Sequence, residues 1–357
     1  MTLLRDRAPD ARVFKGTFLS PRGSTHTEAG GSASGVSRLR TLADVEVFDP
    51  GWLSVGPDGR ILALARECPK DARHVVDFGD ALVMPGFVDT HTHLPQYAFT
   101  GLGDLPLLPW LETYTFPHER AFCDPTLARA RARHFFQACL AMGTTTVMAY
   151  GTHHEEAVHI AFEEARASGI RAGIGLVLMD SHVPADFATE SGKSLLAADR
   201  LAACWDRAGN GRLRFVVTPR FAVSCTQGLM EGAADLAQRR GLLVQTHLAE
   251  NKDEIALVRE LFPKAKSYTD VYDSCGLLGK NTLLAHCVHL GADERALLQE
   301  RGCVVAHCAS SNTFLSSGLM PLSRFLEEGM RVSLGTDVAG GTSLSMLAEM
   351  KAVGDAA

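Results

Sequence analysis

Residues 282–306 read TLLAHCVHLGADERALLQERGCVVA and carry one complete β/α repeat. The short apolar run 282–285 is strand-like, and 292–301 has helical periodicity. Gly302 follows the helix where a left-handed C-terminal cap is expected, and 303–306 starts the next apolar run. The same unit recurs on both sides. Apolar runs stand at 82–88, 145–149, 171–178, 213–218, 242–246, 282–285, 303–306 and 331–334. Helical stretches lie between them at 127–142, 155–168, 230–240 and 292–301, followed by Gly143, Gly169, Gly241 and Gly302. Eight short buried strands alternating with helices predict an α/β fold, a (β/α)8 TIM barrel. A doubly wound sheet also alternates, but it more often has a Gly-rich phosphate loop after its first strand, and none occurs here.

Residues 1–82 read differently. Run 12–19 is strand-like, and 21–37 is rich in Gly, Ser and Thr, which predicts a surface loop. Runs 52–55 and 61–64 flank Gly56-Pro57-Asp58-Gly59, a hairpin signal. The expected organisation is a small N-terminal β-sandwich domain over 1–82 and the barrel over 83–357. After Asp337, the residues Leu344, Leu347, Met350 and Val353 recur at three-residue spacing. They predict an eighth barrel helix that is cut short, with the C-terminal sandwich strands missing. The expectation is an active longer protein and an unstable or inactive 357-residue chain.

Composition bounds the function. The net charge of -6 and the scattered Arg129, Arg131 and Arg133 argue against nucleic acid as a partner. No run approaches the roughly 20 apolar residues of a membrane span. Residues 1–9 lack the apolar centre of a signal peptide. Nine scattered Cys without a CxxC suit a reducing compartment, so a cytoplasmic location is expected.

Position selects among the fourteen His. Asp89-Thr90-His91-Thr92-His93 closes the first barrel strand, and residues two apart on a strand point the same way. His247 ends the fifth strand, His286 the sixth and Asp337 the eighth. All five converge on the C-terminal rim, where barrel enzymes keep their chemistry. Imidazoles with one carboxylate suit Zn²⁺ or Fe²⁺, with Zn²⁺ expected. Such a metal lowers the pKa of its water toward about 7. Glu250, three residues past His247, is placed to shuttle the proton. The alternative metal template at His154-Glu155-Glu156-Ala157-Val158-His159 fails, because imidazoles five apart on a helix diverge by about 140°. His118, His134, His159 and His182 are assigned no chemical role.

The motif PGFVDTHTH at 85–93 resembles the first-strand motif of the amidohydrolase superfamily of metal-dependent hydrolases. Further blocks are similar to the guanine deaminase family within it: LPQY at 94–97, 107–111, TFP at 115–117, VTPRF at 217–221, THLAENKDE at 246–254, AHCVHL at 285–290 and GTDVAGG at 335–341. Ala309 departs from the family, which often carries Pro there. The resemblance implies hydrolytic deamination of guanine to xanthine, a step of purine catabolism, in a cytoplasmic homodimer. It implies one zinc ion on His91, His93, His247 and Asp337, proton handling by Glu250 and Asp337, and His286 holding the nucleophile. It also implies that Gln96, Arg220, Phe221 and His247 contact the substrate. Guanine offers O6 and ring nitrogens to Arg and Gln, and an aromatic face stacks on the base. Two alternatives stay open: a related hydrolase acting on another aminopurine, a pterin or a triazine, and a non-catalytic barrel scaffold.

Overall fold

A computed structural model describes residues 11–21, 45–103 and 105–356. Residues 1–9 and most of the loop expected at 21–37 lie outside the described residues. The contacts divide the chain into two compact units, one ending at Gly86 and the other running from Phe87 to Ala357.

The described part of the first unit is a four-stranded sheet in the order β3-β2-β1-β4. Its strands are β1 (Arg12–Pro21), β2 (Val45–Val55), β3 (Ile61–Ala65) and β4 (Val75–Val83). The expected hairpin joins β2 to β3. Gly59 sits at φ 80° and donates to the Gly56 carbonyl, closing the turn. Leu82 and Val83 pair with Thr17 and Phe18 of β1. They therefore belong to this sheet and not, as the apolar run suggested, to the first barrel strand.

The second unit is a nearly closed parallel barrel. It runs β5 (Phe87–His93), β6 (Thr144–Tyr150), β7 (Arg171–Gly175), the short β8 (Val177–Leu178), β9 (Leu213–Pro219), β10 (Leu243–Leu248), β11 (Thr282–His286), β12 (Val304–His307) and β13 (Arg331–Leu334). Neighbours pair in sequence order, with β8 continuing the pairing of β7 against β9. Apolar side chains such as Ile174, Phe215, Leu284 and Val305 are fully buried. Each contributes roughly 1.5–3 kcal/mol relative to exposure. Gly143, Gly169, Gly241 and Gly302 all have positive φ after their helices, the left-handed conformation that costs glycine least.

The barrel closes without a ladder between β13 and β5. Thr90 Oγ1 donates to the Leu334 carbonyl at 2.8 Å, Thr336 N–H to Asp89 Oδ1 at 3.0 Å, and Asp337 N–H to the His91 carbonyl at 2.8 Å. Gly335 permits this approach, since a Cβ there would stand 2.6 Å from His91 Cβ. The seam thus brings the end of the eighth strand against the end of the first. The last helix, Met346–Ala356, buries Met346 and Glu349 while Leu347 and Met350 are exposed.

Candidate metal centre and adjoining pocket

Strand ends deliver the side chains. His91 and His93 leave β5, His247 leaves β10, His286 closes β11, and Asp337 follows β13. All five are buried. Asp337 Oδ1 lies 3.2 Å from both His91 Nε2 and His93 Nε2. His93 Nε2 is 3.2 Å from His247 Nε2, and His286 Nε2 is 3.7 Å from Asp337 Oδ2. Two overlapping sets, His91/His93/Asp337 and His91/His247/His286, each hold donor atoms within 4.8 Å of one another.

The rings are oriented from behind. His247 Nδ1–H donates to the Arg220 carbonyl at 2.6 Å, so its Nε2 carries the free lone pair. His286 Nδ1–H donates to Asn312 Oδ1 at 2.8 Å, which leaves its Nε2 likewise. His91 Nε2 and His286 Nε2 are buried without a hydrogen-bond partner in the protein. Burial lowers His93 to about 4 and holds His91 and His247 below the usual histidine range, the neutral form that metals bind. Lone pairs of neutral imidazoles, buried and facing one carboxylate, fit a borderline-soft divalent cation.

Glu250 follows β10 and is 3% exposed, so it is not a solvated helix-start residue. Its Oε1 accepts from Ser317 Oγ at 3.0 Å, and its Oε2 is 3.4 Å from His286 Nε2. Burial, aided by Asp337, pushes its carboxyl up to about 8, a value suited to giving and taking a proton near neutrality.

A pocket opens over this cluster. His93, His247, Glu250, His286 and Asp337 line it together with Gln96, Arg220 and Phe221. Leu107, Trp110, Leu111 and Leu315 supply its apolar lining. Gln96 is only 2% exposed, which removes the reading of a solvated loop residue. Arg220 lines the cavity and also pairs with Glu119 at 2.8 Å, so it is both ion-paired and available to a ligand.

Four residues escaped the sequence reading. Glu119 binds Arg220 and Gln96, Asn312 binds His286, Ser311 Oγ donates to Asp337 Oδ2 at 2.6 Å, and Ser317 binds Glu250. Glu119 stands two residues past the TFP block, the one local signal that pointed to it. The His assigned no role stay outside the cluster: His159, for example, accepts from Trp205 Nε1 at 3.1 Å.

Residues 82–354 match the Amidohydrolase family. The chain is 42% identical to guanine deaminase from Mus musculus over 95% of this chain and 73% of that one. It is 42% identical to guanine deaminase from Dictyostelium discoideum over 76% of this chain and 61% of that one. It therefore spans between about three fifths and three quarters of these two relatives. The crystal structure of guanine deaminase from C. acetobutylicum with guanine bound superposes with a TM-score of 0.87 at 31% identity, covering 96% of this chain and 78% of that one. Among the described residues, no helix is long and apolar enough to cross a membrane.

Proposed function

From the premise that this chain belongs to the amidohydrolase family, and within it to the guanine deaminases, we propose that it hydrolyses guanine to xanthine and ammonia. One observation carries the reading: a buried cluster of metal-ligating side chains shares one pocket with a guanidinium, an amide and an aromatic ring. His91, His93, His247 and Asp337 would hold the metal, taken as zinc. The ion, once bound, supplies a water acidic enough to ionise near pH 7.

The chain's own groups do the rest. Arg220, Gln96 and Phe221 seat the purine with C2 toward the cluster. The oxygen of water bonds to C2 while Glu250 takes a proton and delivers it to the adjacent ring nitrogen. His286, 3.4 Å from Glu250, holds the nucleophile in line and steadies the tetrahedral carbon. A second proton, passed through Glu250 and Asp337, reaches the amino group; the C2–N bond breaks, ammonia departs, and C2 keeps the oxygen. A homodimer and a place in purine catabolism belong to the same proposal, supported by the family, as does a cytoplasmic setting, supported by the scattered cysteines.

Ammonia release from guanine by the purified full-length protein, with and without chelator, tests the reading. Turnover that chelation abolishes and zinc restores is expected. Adenine deamination with no guanine turnover would overturn it.

A further inference from the structure

Resting on the guanine reading, the structure assigns Glu119 a positioning role: it locks the Gln96 amide and the Arg220 guanidinium into an acceptor-beside-donor pair that reads an oxopurine and rejects an aminopurine.

Glu119 lies on the short helix Phe116–Arg120 and is fully buried. It is not among the residues that line the cavity. Both of its oxygens are engaged by residues that are. Arg220 Nη1 donates to Oε2 at 2.8 Å, and Gln96 Nε2 donates to Oε1 at 3.1 Å. Burial opposes the charge on Glu119, but Arg220 outweighs it with help from Gln96, and the carboxyl is held below its usual range. An ionised carboxylate only accepts. Gln96 must therefore turn its NH₂ toward Glu119, which leaves the amide oxygen for the cavity. Arg220, anchored through one nitrogen and lying 5.6 Å over the Phe116 ring, keeps its other N–H groups as donors.

A donor beside an acceptor matches the O6 and N1–H edge of guanine. The 6-amino and bare N1 of an aminopurine present the opposite polarity at both positions. Leaving a buried polar group opposed in this way is more costly than losing a contact.

Glu119→Gln keeps the shape and alters the polarity. Its amide oxygen goes to the charged Arg220, so its NH₂ faces Gln96. Gln96 then reverses and presents NH₂ to the purine. The comparison substrate is 2,6-diaminopurine, which has the same amino group on the reacting carbon and differs only at the O6/N1 edge. In the full chain with metal content matched to wild type, the guanine to 2,6-diaminopurine ratio of kcat/KM should fall by about 10- to 100-fold. The loss for guanine should appear mainly in KM, and turnover of 2,6-diaminopurine should rise in absolute terms. Glu119→Asp, which retains the charge, should recover part of the ratio. A merely structural glutamate would depress both substrates alike, and an unchanged ratio would overturn the assignment. If E119Q does not fold, Gln96→Met serves instead: discrimination should drop at least about tenfold, and its retention would equally overturn the assignment. Wild-type protein with no guanine turnover sinks the guanine reading itself, a result separable from an unchanged ratio in an active enzyme.

Discussion

Glu250 meets its two neighbours on different oxygens, Ser317 on Oε1 and His286 on Oε2. Glu250→Gln keeps the shape but cannot take a proton, so kcat should fall by about 10²- to 10⁴-fold. Ser317→Ala removes one donor to a buried carboxylate, and kcat should fall about tenfold. Both variants should retain their metal on elemental analysis; loss of the ion would place Glu250 among the ligands. At this scale the sequence was most readable at and just beyond the strand ends. His91, His93, His247 and His286 lie at the ends of their strands, and strand periodicity points His91 and His93 together, whereas Asp337, expected to end the eighth strand, lies three residues past Leu334 with φ 45°. Glu119, Ser311, Asn312 and Ser317 come from short helices and turns, far in sequence from the groups they hold. Glu119 meets Arg220 across 101 positions. No local pattern encodes such a meeting.

Among the elements, the repeat rhythm was readable because each strand is a short buried run and four helices end at a glycine with positive φ. Its misreading came at the first strand. Residues 82–88 are one apolar run, yet Leu82 and Val83 pair with β1 while the barrel strand starts at Phe87. Composition does not mark where a chain leaves one sheet for another. The seam between β13 and β5 was likewise invisible, since it consists of side-chain bonds, one backbone bond from Asp337 N–H to the His91 carbonyl and one close approach at Gly335. Gly335→Ala should force β13 away from His91, at a cost of about 1–3 kcal/mol. Thermal unfolding and metal titration check this. A variant with wild-type melting and metal affinity would show that the seam yields freely.

For the molecule as a whole, stability should carry a pH signature from Glu349. This residue ties the last helix to Ala309–Phe314 by accepting from the Ser310 hydroxyl and, at 3.2 Å, from its N–H. Burial raises its carboxyl from 4.5 to about 7. The folded state thus binds the proton more tightly than the unfolded state does. Stabilisation is complete below pH 4.5, falls as pH rises toward 7, and is gone above. Glu349→Gln should remove that slope, a difference of roughly 2–3 kcal/mol between about pH 5 and about pH 8 at about 1.4 per pKa unit. Denaturant titrations at pH 5 and 8 measure it; parallel pH profiles for both proteins would refute the assignment. Residue 220, finally, serves through two chemically separate parts. Its carbonyl orients the His247 ring, whereas its guanidinium faces the cavity. The carbonyl survives any replacement of the side chain. Exchange of the side chain at 220 thus leaves the orientation of His247 untouched, provided that Glu119 changes with it so that no carboxylate is left buried without its charge partner.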